Sequence, residues 1–166
     1  DQVGQSACKD CPKGRYNAGP PGRTALSDCT NCAVGLYSDQ TAQDAAGDCK
    51  KCAGGMYNDQ VAQDAAADCK ACAVGLYSDV TGVTAAANCK DCVAGKYQPN
   101  TGQDDAGDCI VCPVGEYQDQ AGQDALVGAN VCKVCAVGLY NDETGQDAAS
   151  DCKNCGMGKF NDQTGQ

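Results

Sequence analysis

The sequence lacks histidine and tryptophan altogether and has a single phenylalanine in 166 residues. Because histidine is the commonest acid or base in enzyme mechanisms, its absence argues against acid–base and nucleophilic catalysis, and we expect no enzymatic activity. Leu, Ile, Val and Phe account for only 20 of the 166 residues, a share well below the ~20% typical of chains that build a core. No apolar run approaches the ~20 residues that span a bilayer, so we expect no membrane insertion.

Positive charge is also scarce, with 12 Lys and Arg against 22 Asp and Glu and a net charge of −10. This balance disfavours nucleic acids and anionic membranes as partners, and it is compatible with divalent cations or basic partners. Low apolar content together with high net charge would by itself predict a disordered chain.

Cysteine reverses that prediction, because the chain has 16 cysteines, just under a tenth of its residues. At this density a disulfide scaffold is the default, and disulfides persist in extracellular or cell-surface environments. No signal peptide or initiator Met precedes Asp1, so we expect a mature or excised piece of a secreted protein.

The cysteines lie in CxxC pairs that recur about every 20 residues, as in the stretch from Cys32 to Cys52. The pairs begin at Cys8, Cys29, Cys49, Cys69, Cys89, Cys109, Cys132 and Cys152. A glycine follows each pair three residues on: Gly14, Gly35, Gly55, Gly75, Gly95, Gly115, Gly138 and Gly158. Two residues later comes an aromatic, which we expect to pack over a disulfide and against the neighbouring unit: Tyr16, Tyr37, Tyr57, Tyr77, Tyr97, Tyr117, Tyr140 and Phe160. This period predicts a tandem repeat, with a partial repeat at 1–11, seven modules over 11–152 and a partial repeat at 152–166.

Each unit predicts two short extended segments joined by a turn, with the aromatic in one and the CxxC in the other. The glycine before the aromatic predicts a positive φ or a close backbone approach. Ala-rich stretches such as Asp64 to Cys69 could form one helical turn, but no sustained helical period occurs. The predicted fold is a small disulfide-rich repeat protein: an elongated array of ~20-residue β-hairpin-like modules with little regular secondary structure and no large core.

Sequence alone does not decide how the cysteines pair. Closing each CxxC on itself would give a small strained ring of the kind associated with redox-active sites. A more economical scheme joins the second cysteine of one pair to the first of the next, and each such loop stabilises by about 3 kcal/mol in the chain-entropy estimate. That scheme gives Cys11–Cys29, Cys32–Cys49, Cys52–Cys69, Cys72–Cys89, Cys92–Cys109, Cys112–Cys132 and Cys135–Cys152.

This scheme leaves Cys8 and Cys155 without partners. Eleven residues follow Cys155 and the first cysteine is the eighth residue, so a head-to-tail junction would separate the two by 19 residues, within the range of the other pairs. We hypothesise an inter-unit disulfide or covalent continuation at these cysteines, because head-to-tail contacts that do not close generate filaments. The alternative is that the boundary has no structural meaning.

The pattern CxxCxxGxYxDxTGxxxxxxCxxC resembles the ephrin-receptor-like cysteine-rich repeat of large secreted and cell-surface proteins. It is also similar to the first module of tumour necrosis factor receptor cysteine-rich domains. The motifs CPKGRY at Cys11 to Tyr16 and CPVGEY at Cys112 to Tyr117 match it best. The resemblance implies a scaffold without a defined activity, and it supports the next-neighbour pairing.

Three other chemistries use cysteine or carboxylate side chains such as these. Zinc suits CxxC spacing, but the nearly uniform gaps and the absence of histidine argue against it. Redox catalysis needs an activated thiolate, usually at a helix N-terminus, and the sequence suggests no such thiolate or helix. Calcium is the sharper use of carboxylates such as Asp39, Asp44 and Asp48, although the spacing matches no EF-hand loop. We therefore assign no catalytic, cofactor-binding or metal-binding residue and expect no cofactor, with calcium as the remaining candidate.

Glycans are the other candidate partners. No Asn-x-Ser/Thr sequon occurs, whereas Thr41, Thr101 and Thr144 lie in predicted turns as candidate O-glycosylation sites. A carbohydrate-binding ladder of the aromatics is an alternative to their packing role.

The function that these features favour is an extracellular structural repeat protein that forms a rod or filament, in a fibre, appendage or surface coat. The alternative is the stalk or ligand-binding ectodomain of a receptor or adhesin. A binding region would need an atypical unit, and the candidates are Asn17 to Arg23 and Gln123 to Val131, where the turn expands around Leu126 and Val127.

Overall fold

The computed structural model describes residues 8–124 and 131–166. Within these ranges the regular structure consists of two-residue strands and single 3₁₀ turns, and no α-helix occurs. Fourteen strands pair as seven separate antiparallel hairpins, each formed by two strands that follow one another in the chain. The strands are β1 Arg15–Tyr16, β2 Thr30–Asn31, β3 Leu36–Tyr37, β4 Lys50–Lys51, β5 Met56–Tyr57, β6 Lys70–Ala71, β7 Leu76–Tyr77, β8 Lys90–Asp91, β9 Lys96–Tyr97, β10 Ile110–Val111, β11 Glu116–Tyr117, β12 Lys133–Val134, β13 Leu139–Tyr140 and β14 Lys153–Asn154.

The hairpins pair the aromatic segment with the residues between the two cysteines of the next CxxC. In the third hairpin, Tyr57 of β5 lies opposite Lys70 of β6, and Met56 lies opposite Ala71. Two-stranded hairpins of this length are not stable alone in water, so disulfides and neighbouring modules must hold them. The predicted array of hairpin modules without a large core is confirmed.

Seven disulfides close the hairpins, with Cα–Cα distances of 5.7–6.0 Å. They are the next-neighbour pairs: Cys11–Cys29, Cys32–Cys49, Cys52–Cys69, Cys72–Cys89, Cys92–Cys109, Cys112–Cys132 and Cys135–Cys152. We call the segments that they bound modules 1 to 7, and residues 155–166 module 8. The first half-cystine of each bridge is buried, so a column of sulfurs takes the place of an apolar core.

A 3₁₀ turn precedes the second half-cystine in modules 1–5 and 7. The turns span Leu26–Asp28, Ala46–Asp48, Ala66–Asp68, Ala86–Asn88, Ala106–Asp108 and Ala149–Asp151. The third turn lies within the Asp64 to Cys69 stretch that was predicted to form one helical turn, so that prediction is confirmed. Its carboxylate closes the turn, because Asp68 Oδ2 accepts hydrogen bonds from the backbone N–H groups of Asp64 at 3.0 Å and Ala65 at 2.9 Å. Such side-chain bonds satisfy the orphan donors at the start of a helical turn.

The expanded turn predicted around Leu126 and Val127 lies outside the described residues. Over the ranges that the structure does describe, no helix has the length and apolar character needed to cross a membrane.

Candidate functional site

The contacts that recur in every unit are those that join one module to the next. At the junction of modules 3 and 4, the Gly55 N–H donates to Ser78 O at 2.8 Å, and the Asn58 N–H donates to Val83 O at 2.9 Å. In the return direction, the Gly82 N–H donates to Cys52 O at 2.8 Å. The equivalent three bonds occur at each of the seven junctions from module 1 to module 8. Each junction therefore contains a short ladder of three backbone hydrogen bonds.

The invariant glycine also contacts the second neighbour. A Cβ on Gly55 of module 3 would overlap the carbonyl group of Gly102, which lies in the turn of module 5. The same overlap would occur between Gly14 and Ala62, Gly35 and Gly82, Gly75 and Gly122, Gly95 and Gly145, and Gly115 and Gly165. Both predictions for this glycine hold, because Gly55 has a φ of 74° and also allows the close backbone approach. Three consecutive modules thus meet at each of these glycines.

A column of buried polar side chains lies one residue after the tyrosines of modules 2 to 7, whereas Asn17 at this position of module 1 is half-buried. Ser38, Asn58, Ser78, Gln98, Gln118 and Asn141 are all 3% exposed or less. Sequence reasoning missed this column. The available signal was that this position is Asn, Ser or Gln in all eight units, from Asn17 to Asn161.

The asparagines in this column bind the preceding module. The Asn58 Nδ2 group donates to Leu36 O at 3.1 Å, and Asn58 Oδ1 accepts from the Gln60 N–H at 3.0 Å. Asn141 and Asn161 repeat the first contact, donating to the carbonyl oxygens of Glu116 and Leu139. A buried amide satisfied in this way fixes the register between two modules, because losing either partner would leave a buried polar group unpaired.

The tyrosines are half-buried. The backbone of five of them forms a parallel bridge to the next module, as between Tyr57 and Val83. A lysine from the paired strand lies over the ring, with Lys70 Nζ 5.9 Å from the ring centroid of Tyr57. Similar contacts join Lys90 to Tyr77 and Lys133 to Tyr117. The predicted covering of the disulfides by the rings stays a prediction.

The same lysines form an exposed ladder of ion pairs with the aspartate two residues after the tyrosine. Lys70 Nζ lies 2.7 Å from Asp59 Oδ1. This hydrogen bond lowers the pKa of Asp59 and raises the pKa of Lys70, and their mutual attraction acts in the same directions. The other pairs are Lys50–Asp39, Lys90–Asp79, Lys133–Asp119 and Lys153–Asp142.

The ladder was not predicted, although the sequence contains a signal for it. In module 5, Pro99 replaces the aspartate and Ile110 replaces the lysine, and in module 1 both positions are again uncharged, with Ala18 and Thr30. In modules 1 and 5 the aspartate and the lysine are therefore both replaced, as expected if the two residues act as a pair.

Two of the three carboxylates considered for calcium, those of Asp39 and Asp48, have other partners. Asp39 pairs with Lys50, while Asp48 Oδ2 accepts from the backbone N–H groups of Asp44 and Ala45. Among the described residues, no group of three or more Cys, Asp or Glu side chains is arranged to hold a metal ion. The arrangement therefore offers calcium no preformed site in this part of the chain.

The remaining predicted residues lie at the surface or at the two ends. Thr41, Thr101 and Thr144 are exposed in their turns, and O-glycosylation there stays a prediction. The free cysteines are Cys8, which is exposed, and Cys155, which is half-buried. Phe160 is 85% exposed, unlike the half-buried tyrosines at the equivalent positions.

The atypical loop Asn17 to Arg23 borders an open groove on module 1. The groove is lined by both polar and apolar groups, including Cys8, Asn17, Gly22 and Arg23. The loop is held by local contacts, since the Gly19 N–H donates to Asn17 Oδ1 at 3.0 Å.

Comparison with known proteins agrees with this geometry. Residues 81–122 match the family model described as tyrosine-protein kinase ephrin type A/B receptor-like. The match runs from the turn of module 4 to the turn of module 6, and the repeated disulfide pattern is consistent with the same cysteine-rich repeat elsewhere. The resemblance predicted from the motifs is confirmed. No curated protein matches the chain. The disulfides and the resemblance together indicate an extracellular or cell-surface protein.

Proposed function

We propose that this chain is a non-enzymatic structural protein whose modules form a rod or filament in an extracellular fibre, appendage or surface coat. The observation that supports this proposal most is the use of the repeated residues. The glycine, the residue after the tyrosine, the turn residue and the first half-cystine all contribute groups to the same junction. These four repeated positions therefore serve to join one module to the next.

Contacts limited to first and second neighbours along the chain explain why such modules would form an elongated array. Each module binds its first neighbour through three backbone hydrogen bonds and its second neighbour through the glycine contact. Repeat proteins with this arrangement gain stability with each added unit, because a single repeat cannot bury enough surface alone. Head-to-tail continuation of the same junction would lengthen the rod without any new kind of contact.

The alternative, a receptor stalk or ligand-binding ectodomain, is supported by the groove beside Asn17 to Arg23, where module 1 departs from the repeat. The two functions differ in how the protein behaves alone. A structural filament should assemble from the purified chain, whereas a stalk or binding region should stay monomeric.

Negative-stain imaging of the oxidised protein over a concentration series tests the proposal. We expect unbranched particles of constant width whose length increases with concentration. Particles of one fixed length at every concentration, together with a monomer mass by sedimentation, would contradict it.

A further inference from the structure

The outer faces of modules 1 and 8 have groups, unpaired among the described residues, that match the internal junction. At the C-terminal face, the N–H groups of Gly158 and Asn161 and the carbonyl oxygens of Cys155 and Lys159 have no hydrogen-bond partner among the described residues. Modules 1 to 7 all use the first three of these groups, at the equivalent positions, to bind the module that follows. Modules 2, 6 and 7 also use the fourth, the carbonyl equivalent to Lys159 O, which accepts from an asparagine side chain of the next module.

Module 1 presents the complementary groups at the N-terminal face. The N–H of Gly22 and the carbonyl oxygens of Asn17 and Arg23 are likewise unpaired within the described chain. Gly22 is seven residues before Cys29, as Ala42 is before Cys49, and it has the positive φ of the turn residues, 89°. Asn17 occupies the position of Asn58 and Asn141, but its Nδ2 group reaches no acceptor in the part of the chain that the structure describes.

The internal pattern pairs these groups one to one. Gly158 N–H would donate to Asn17 O as Gly55 does to Ser78, and Asn161 N–H would donate to Arg23 O as Asn58 does to Val83. Gly22 N–H would donate to Cys155 O as Gly82 does to Cys52. Asn17 Nδ2 would donate to Lys159 O as Asn58 does to Leu36.

The second-neighbour contact is open at the same face. The six equivalent glycines of modules 1 to 6 each lie against a turn two modules ahead. By contrast, none of the described residues has an atom within 4 Å of a Cβ built on Gly138 or Gly158. Gly138 is half-buried and Gly158 exposed, whereas the earlier glycines of the series are buried. By the internal spacing, the turn at Gly22 would cover Gly138.

Charge also favours a second copy as the occupant. Residues 8–31 carry four basic side chains against two acidic ones, although the whole chain is strongly acidic. They are Lys9, Lys13, Arg15 and Arg23 against Asp10 and Asp28. Residues 135–166 carry the opposite excess, with Lys153 and Lys159 against Asp142, Glu143, Asp147, Asp151 and Asp162. Opposite net charges on two surfaces speed their encounter and fix their orientation.

We propose that the groove of module 1, lined by Cys8, Asn17, Gly22 and Arg23, binds the C-terminal face of a second copy of this chain around Gly138, Cys155, Gly158 and Asn161. The inference rests on the proposed function and specifies its contact. Exposed Phe160 then lies beside Arg23 of the other copy, as Tyr57 lies beside Val83. The groove that could have marked a ligand site is thereby assigned to self-association.

A disulfide between Cys155 and Cys8 locks the docked copies. The Cys155 thiolate attacks a small-molecule disulfide such as oxidised glutathione, forming a mixed disulfide and releasing one glutathione thiolate. The Cys8 thiolate of the other copy then attacks the Cys155 sulfur and releases the second glutathione. Two cysteine thiols are oxidised to one disulfide and one small disulfide is reduced to two thiols, and the two protons lost by the cysteines are taken up by the two glutathione thiolates.

The test compares Gly138→Ala with Gly102→Ala in the full chain, with association measured by sedimentation velocity. Both substitutions place Ala at a positive φ, 83° and 72° respectively. A Cβ on Gly102 meets only the Ala71 Cβ at an ordinary 3.5 Å, whereas a Cβ on Gly138 is free in the single chain and would overlap the docked turn. We expect both variants to melt alike, Gly138→Ala to associate about tenfold more weakly than wild type, and Gly102→Ala to associate normally. Added salt should weaken association of the wild type.

Peptide mapping without reduction, in glutathione buffer, supplies the second readout. We expect a Cys8–Cys155 linked peptide in the associated fraction. Filaments that form equally well with Gly138→Ala, or that are linked through two copies of Cys8 or two of Cys155, would overturn this docking while leaving the proposed function intact. A wild-type chain that stays monomeric at every concentration would overturn both.

Discussion

The carbonyl oxygen of Gly102 occupies the space that a Cβ on Gly55 would fill, although the two residues lie in modules that are not adjacent in the chain. This contact makes three modules the smallest complete packing unit. It also explains why the glycine recurs at every copy while the turn residue varies between Gly and Ala.

Gly55→Ala and Gly102→Ala alter the two sides of this contact and should behave differently. For Gly55→Ala we expect a loss of about 1–3 kcal/mol from steric overlap with backbone, added to about 1 kcal/mol for the positive φ. For Gly102→Ala only the smaller cost applies, because Ala42 and Ala62 already occupy that turn position at a φ of 60°. Urea unfolding with the disulfides intact measures both. Equal losses would show that the second-neighbour contact contributes nothing.

Asn58→Leu should destabilise the protein although leucine has a similar size. The substitution leaves Leu36 O and the Gln60 N–H without the partners they have in a buried position. Each unsatisfied group costs about 1–3 kcal/mol. Asn58→Ser is the matched control, since Ser38 and Ser78 occupy this position in modules 2 and 4, and it should cost less. Equal denaturation midpoints for the two variants would contradict the proposed role of the buried amide.

The ion-pair ladder predicts a pH window. Because the pKa of Asp59 is lowered from 3.8, its pairing stabilises the fold above that value and is lost as the pH falls through the lowered pKa. Because the pKa of Lys70 is raised from 10.5, its contribution is present below that value and is lost as the pH rises through the raised pKa. Asp59→Asn should therefore lower the melting temperature slightly between these limits and not outside them.

The control for the ladder is Asp64→Asn. It removes a carboxylate of the same module, and this carboxylate has no lysine partner among the described residues. The change in melting temperature caused by Asp64→Asn should not be confined to the pH range defined by the Asp59–Lys70 pair. Both pair partners are exposed, so added salt should reduce the Asp59→Asn effect. A pH-independent effect of Asp59→Asn would show that the aspartate acts through packing and not through charge.

Removal of the Cys72–Cys89 bridge by a double substitution to serine should cost about 3 kcal/mol, as expected for a loop of this size. Since modules 2 to 6 all contact module 4, hydrogen exchange should accelerate in both flanking modules and not in module 4 alone. The matched control, compared in the unassociated chain, is Cys8→Ser with Cys155→Ser, which removes two thiols and none of the seven disulfides within one chain. Exchange that changes only within module 4 would show that the modules are independent.

The sequence predicted the parts of the fold that depend on local spacing. The strain expected of CxxC rings and the family resemblance favoured the next-neighbour cysteine pairing, and the invariant Gly55 series indicated a positive φ or a close approach. The sequence could not predict which module the glycine would approach, because the length of a repeat does not determine how far each module is rotated relative to the one before it. That rotation emerges only when the ladder from Gly55 to Ser78 and from Gly82 back to Cys52 is formed.

Sequence reasoning also misplaced the buried side chains. Asn58 and Gln98 look like loop residues, since polar side chains are usually exposed, and their burial depends on carbonyl groups brought close by tertiary structure. The tyrosines, which were expected to pack over a disulfide and against the neighbouring unit, are half-buried, and a lysine Nζ lies over the rings of Tyr57, Tyr77 and Tyr117.

The most direct measurement is a cryo-electron microscopy reconstruction of filaments formed by the oxidised chain. Our account predicts that the step from module 7 through module 8 to module 1 of the next copy has the same rise and rotation as the steps within one chain. Gly138 would then lie against the Gly22 turn of the next copy. A different step at the chain boundary, or copies packed side by side with the Gly138 face open to solvent, would contradict it.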